Sequence, residues 1–291
     1  MCLPICSSLF TLSDKMIPIS RLNSDIELQF LLENLTQSVV STAITNPWTI
    51  ISAELVLNIV LLSDTAEELV RSVSPIEAPI FIHSSSYRSY PQTLATGSTG
   101  SQNFLISSRF NSIKSIHLMP RRSTEINQIN AYSLSSRINP NITQYYWTIG
   151  SSIVPSKYVQ LANTNQNGAY AEAFSEVLKS YHSFGNVTSY SSLVGFSAYN
   201  VCDSGAVALE NISAITATTG SYNNGFCVSQ ELECYSTRND TILGGVNTIG
   251  QNVFFNCLLS GAGVSAAYTM NFFAYFDCIL IIDQGIMKCL F

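Results

Sequence analysis

The chain has 291 residues, 46% of them hydrophobic, but only 11% are Asp, Glu, Lys or Arg, against a usual charged share of about 25%. A net charge of −6 excludes bulk electrostatic attraction as a route to nucleic acid. The length admits one large domain or two ordinary ones, and so little charge leaves Ser, Thr, Asn and Gln to solvate the surface. That suits sheets with long polar loops, or faces buried against neighbours, better than a helical bundle.

The first fifteen residues, Met1 to Lys15, lack a basic stretch and a sustained apolar run, so they read poorly as a secretory signal. From Asp25 to Leu32, the residues Ile26, Leu28, Phe30 and Leu32 alternate with polar ones, which predicts a half-buried strand. Ile51 to Leu61 repeats the pattern, with Ile51, Ala53, Leu55, Leu57, Ile59 and Leu61 on one face and Ser52, Glu54 and Asn58 on the other. A short helix follows from Asp64 or Thr65 to about Ser72, with Thr65 and Glu68 spaced as a capping box and Pro75 as its stop. Tyr87 to Gln102, Ser135 to Thr143 and Thr188 to Asn224 are rich in Ser, Thr, Asn, Gly and Pro and read as long loops. The one dense basic cluster, Arg121-Arg122 with Lys114 and Arg109 nearby, reads as a solvated loop.

Gly168 to Tyr181 predicts the better helix: Tyr170, Ala173, Phe174, Val177, Leu178 and Tyr181 recur on one face, and Glu172 and Glu176 lie opposite. Near the C-terminus Val253, Phe255, Cys257 and Leu259 alternate with polar residues, and a Ser-Gly-Ala-Gly segment follows. Then Tyr268, Met270, Phe272, Ala274, Phe276, Cys278 and Leu280 share a face, with Thr269, Asn271 and Asp277 on the other. These two runs are expected to form an antiparallel hairpin; Asp283-Gln284-Gly285 turns into a last short strand, Ile286 to Phe291.

Residues suited to chemistry are scattered. The eight cysteines form no CxxC pair and only three histidines exist, His83, His117 and His182, so no zinc-ligand spacing is present. Cys257 and Cys278 fall in apolar runs and read as small buried hydrophobes of a reducing compartment. There is no GxSxG elbow and no GxxxxGK[ST] loop, and Gly261-Ala262-Gly263 lacks a third glycine and reads as a turn. Glu67-Glu68 reads as a solvated helix face, Asp277 as a structural acid, and His117, alternating with Ser115, as a satisfied structural histidine. Catalytic, cofactor-binding and metal residues are therefore assigned as none, and no cofactor is expected. Five N-x-S/T sequons, at Asn34, Asn141, Asn186, Asn211 and Asn239, read as chance in so polar a chain. Phe272 to Ile282 is too short to span a bilayer and contains Asp277, so no membrane span is expected.

Several stretches together resemble the double jelly-roll major capsid proteins of Polinton/Maverick elements, virophages and large DNA viruses. They are Met16 to Leu22 leading into Asp25 to Leu32, Ala53 to Leu57 with Leu62 to Leu69, Gln102 to Ile116, Arg238 to Thr248, and Tyr275 to Leu280 with Asp283 to Ile286. The resemblance implies an all-β, mainly antiparallel jelly-roll sandwich with one or two short helices. Residues 1–72 would be an incomplete first roll with its connecting helix, truncated at the N-terminus, and residues 73–291 a complete second roll. It implies a mechanical function in place of an active site: homotrimers of pseudo-hexagonal outline tiling an icosahedral shell. Penton and minor capsid proteins would be partners, without specific nucleic-acid binding, and assembly would take place in host cytoplasm or nucleus. Two other readings stay open on the residues: a secreted or surface β-sandwich binding module, which the sequons favour, and a β-sandwich hydrolase built around Asp277 or a histidine.

Overall fold

A computed structural model describes residues 16–23, 25–31, 51–56, 59–73, 78–123, 126, 137–161, 170–182, 199, 225–233 and 244–291. In chain order come a 3-10 turn (Ile19–Arg21) and helix α1 (Asp64–Val73). Strands β1 (Ile80–Leu94), β2 (Gly100–Ile106), β3 (Ile113–Arg122), β4 (Ile142–Ile149) and β5 (Ser152–Gln160) follow. After helix α2 (Ala171–His182) come β6 (Val228–Glu231), β7 (Val253–Leu259), β8 (Tyr268–Asp283) and β9 (Ile286–Leu290).

The strand order identifies the fold. One sheet runs β1-β8-β3-β6, with β9 also on β8, and the other runs β2-β7-β4-β5. First pairs with eighth, second with seventh, third with sixth and fourth with fifth, so the eight strands form one long hairpin ribbon. Rolling that ribbon up adds the β8–β3 and β7–β4 neighbours, and the product is a jelly roll, which is the expected fold class. Two of the ribbon's pairs are antiparallel in clean register, Gly100↔Leu259 to Ile106↔Val253 and Ser115↔Glu231 to Leu118↔Val228.

The chain divides into two compact units, one of residues 1–32, 46–86 and 277–291, the other of 33–45 and 87–276, so β1 and β8 contribute to both. The larger unit has an aromatic core. Trp147 and Phe255 are fully buried with ring centroids 4.7 Å apart, and Phe272 of the other sheet lies 5.6 Å from Phe255 and 6.1 Å from Trp147. Phe104 joins from β2, 5.7 Å from Phe272. Helix α2 buries Ala173 and Val177, as its apolar spacing predicts, beside a second cluster of Tyr170, Tyr199 and Phe226. In the smaller unit Ile82, Leu280 and Ile282 form a core capped by Leu22, Ile80 and Met287.

Four expectations need correction. The runs at 253–259 and 268–280 are strands with the expected buried faces, but they are not a hairpin. β7 pairs with β2 and β4, while β8 pairs with β3 in the opposite sheet. Each carries an apolar face that must be covered, and facing one another across the core covers both at once. The Gly261 to Gly263 segment, with Gly263 at φ 74°, is thus an arch between sheets. Second, Tyr87 to Gln102 is mostly strand, belonging to β1 and β2. Third, residues 25–31, 51–56 and 59–61 join no strand among the described residues, and Leu31 and Ile51 are almost wholly exposed. Alternation sorts side chains onto faces, but a strand exists only within a ladder. Fourth, α1 is capped one residue early: Ser63 Oγ accepts from the Ala66 amide at 3.3 Å, and Thr65 lies inside the helix. The expected stop at Pro75 and the loop from Thr188 to Asn224, Tyr199 apart, lie outside the described residues.

Candidate functional site

The titratable residues singled out in the sequence are held apart and, for the most part, out of solvent. His117 sits in the middle of β3, and its Nδ1 lies 2.8 Å from Ser229 Oγ of β6 and its Nε2 2.9 Å from Ser115 Oγ. All three residues are at most 1% exposed. A Ser-His-Ser chain carries the atoms of nucleophilic catalysis, yet no substrate can reach a hydroxyl that water does not touch. Burial holds the imidazole neutral, its pKa lowered to about 3. The group ties β3 to β6 at the register His117↔Ser229, a structural role.

Asp277 and Cys278 are buried side by side in β8, with Cys289 exposed on β9. Burial, helped by the neighbouring Cys289 and opposed by Ser84, pushes the Cys278 thiol up to about 12. Cys257 is likewise pushed up to about 12 by burial, so neither thiol is a nucleophile at neutral pH. Among the described residues no three His, Cys, Asp or Glu side chains come together as metal ligands. No described helix is long and apolar enough to cross a membrane.

Of the basic cluster, Arg109 is exposed and outside any strand, as expected of a solvated loop, but Lys114, Arg121 and Arg122 belong to β3. Lys114 is buried at one end of β3, its Nζ 3.3 Å from Glu233 Oε1, with both side chains under a tenth exposed. That oxygen makes no hydrogen bond, so the contact is charge pairing off hydrogen-bond geometry. Arg122 ends the same strand, donating from Nε to the Tyr268 hydroxyl at 3.1 Å. Of the five sequons, Asn141 is described and is 3% exposed, with its side-chain amide donating to the Gly263 carbonyl at 2.6 Å. A glycan cannot be carried there. The other four sequon asparagines lie outside the described residues.

What the strands do present to solvent is the outer face of the β2-β7-β4-β5 sheet. Its inner face is set by the buried Phe104, Phe255, Tyr145, Trp147 and Val159. The alternate residues therefore point out: Ser101, Asn103 and Leu105; Phe254, Asn256 and Leu258; Gln144, Tyr146 and Thr148; Ile153, Tyr158 and Gln160. None of these twelve is charged. Amide and hydroxyl groups pair across strands, Asn256 to Thr148 at 2.8 Å and Gln160 to Gln144 at 3.2 Å. Tyr146 and Tyr158 meet edge to face, centroids 4.9 Å apart, above a shallow hollow of about 240 Å³ floored by Gln144, Asn256 and Leu258. Lys157 is exposed on β5 but pairs with Glu172 of α2 at 3.0 Å.

Aromatic and amide side chains without charge are the composition of interface centres, where desolvating an ion would cost too much. The low charged fraction hinted at such a face without locating it. The alternation of Tyr145, Trp147 and Ile149 was a usable signal for β4, whereas β5 carries only a weak one.

Neither a protein-family model nor a curated protein matches the chain. It is similar to solved viral capsid structures. The PBCV-1 virus capsid matches at TM-score 0.45 and 11% identity, over 78% of this chain and 54% of that one. The mavirus major capsid protein matches at TM-score 0.38 and 9% identity, over 73% and 41%. The Faustovirus major capsid protein matches at TM-score 0.36 and 11% identity, over 75% and 36%. The chain thus spans about half, or less, of the length of the capsid chains it matches.

Proposed function

We propose that the chain is a structural subunit of an icosahedral viral capsid that assembles through its own copies into trimeric, pseudo-hexagonal capsomers. The observation that carries this reading is the outer face of the β2-β7-β4-β5 sheet, twelve outward positions without a charge on a rigid jelly-roll block. Four strands at about 4.8 Å spacing and some 25 Å long make a face of roughly 500 Å² in projection. That is most of the ~800 Å² each partner contributes to a standard interface. Major capsid protein is also the role that the names of the mavirus and Faustovirus structures give to those proteins.

Residues 73–291 supply the roll that builds the block, and residues 1–72, with α1, belong with a first roll that precedes it. Penton and minor capsid proteins meet it at the lattice edges, and the virion shell is where it resides. A structural role asks for neither a cofactor nor an active site, and the burial of the Ser-His-Ser group in the core supports that reading.

Size-exclusion chromatography with light scattering tests the reading, with a discrete trimer as the expected species. Replacing Asn256 or Tyr146 by Lys places an ion at the centre of the face and shifts the trimer toward monomer, with far-UV circular dichroism unchanged. A wild-type chain that stays monomeric at every concentration refutes the capsid reading.

A further inference from the structure

Residues 51–62 combine two properties that do not coexist in an isolated domain. The odd positions are all apolar, Val56, Val60 and Leu62 add apolar groups among the polar Ser52, Glu54 and Asn58, and the described residues of the segment are exposed: Ile51 by 97%, Val56 by 87% and Leu61 by 91%. Such alternation is the pattern of a strand with one covered face, and an exposed contiguous apolar stretch marks an interaction surface.

An edge that could receive it exists on β9. That strand pairs with β8 from Ile279↔Leu290 to Asp283↔Ile286. Its other edge carries no strand among the described residues, and Ile286 and Leu290 are 58% and 55% exposed. Glu54 is the sole charge in 51–62 and Lys288 the sole charge in β9. Setting Glu54 opposite Lys288 in an antiparallel ladder fixes a register. Leu55 then faces Met287 and Val56 faces Ile286, so charge and apolar matches fall into place together.

We propose that residues 51–56 of one copy add as an antiparallel strand to the open edge of β9 in a second copy. The occupant is a second copy because, among the described residues, segment and edge both remain exposed and carry opposite charges, Glu54 on the one and Lys288 on the other. Main-chain hydrogen bonds supply affinity and the Glu54–Lys288 pair supplies register. Donor and acceptor are different patches, so each copy gives one strand and receives one, a contact that a ring of three closes. This inference rests on the capsid-subunit reading and names the contact through which copies join.

The test mixes two single variants, Ser52→Cys and Leu290→Cys, at assembling concentration under oxidised glutathione. The register places positions 52 and 290 opposite each other, and each chain carries one of the pair, so a 52–290 disulfide can form only between copies. The expected result is a covalent dimer on a non-reducing gel, with the 52–290 bridge located by tandem mass spectrometry apart from native Cys289. In parallel, Glu54→Lys and Lys288→Glu should each weaken association about threefold to tenfold, and the double reversal should restore it. A trimer that forms with no 52–290 bridge and ignores both reversals overturns this contact and leaves the capsid reading standing. So does a double variant whose 52–290 bridge forms within one chain at high dilution. A chain that never associates overturns both.

Discussion

His117 offers a quantitative test of the buried core because its protonation is confined to the unfolded chain. Folding lowers its pKa from 6.5 to about 3, so below pH 6.5 the unfolded state binds a proton that the folded state refuses. Stability is therefore lost as pH falls, from about 6.5 down to about 3. Between pH 7 and pH 5 the linkage integral for these two values is about 2 kcal/mol, and near pH 3 it approaches about 4 kcal/mol. The imidazole is 1% exposed, so solvent screening does not discount the figure. Carboxylates also titrate at low pH, which makes pH 7 to 5 the informative window and the variant His117→Gln the necessary control. The glutamine can keep a hydrogen bond to Ser115 or Ser229 but takes up no proton. Urea denaturation of both proteins at pH 7, 6 and 5, below the concentration at which copies associate, gives the comparison. The wild type should lose about 2 kcal/mol more than the variant across the window. Parallel stability curves would show that His117 is protonated inside the fold, and the sealed-core description of the Ser115–His117–Ser229 group would fail.

Three further outcomes follow from the packing. Trp147→Ala empties a fully buried site between Phe255 and Phe272 and should cost about 3–5 kcal/mol in urea denaturation; a cost under 1 kcal/mol would refute the inter-sheet core. Gly245→Ala would put a Cβ 2.3 Å from the Ile113 carbonyl oxygen, beside the two 2.9 Å backbone bonds joining Ile113 and Val246. Backbone must move to admit it, so a loss of about 3 kcal/mol is expected by thermal denaturation. For the buried Lys114–Glu233 pair, Lys114→Met alone should destabilise by about 3–5 kcal/mol by stranding the carboxylate. Lys114→Met with Glu233→Leu should recover most of that loss, and equal losses in the single and double variants would refute the pairing.

Much of the architecture was legible in local periodicity. The alternation from Tyr268 to Leu280 and from Val253 to Leu259 states which side chains go inside, and the structure buries those residues. The spacing of Tyr170, Ala173 and Val177 states the buried face of α2 in the same way. The side-chain period is a property of the chain itself, so sequence alone determines it. Which strand lies beside which is not such a property. The same alternation fits a hairpin or an arch, and the choice fell to the two apolar faces of β7 and β8, which cover each other only from opposite sheets. Likewise 25–31 and 51–61 alternate as well as any strand, yet the fold offers them no ladder among the described residues. His117 and Lys114 became buried because β3 is central in its sheet, paired on both sides and covered on both faces. The chargeless outer face came from four strands spread over the whole roll. Sequence by itself thus determined the faces of the strands, and only the tertiary structure decided their neighbours, because a ladder's hydrogen bonds join residues the chain holds far apart.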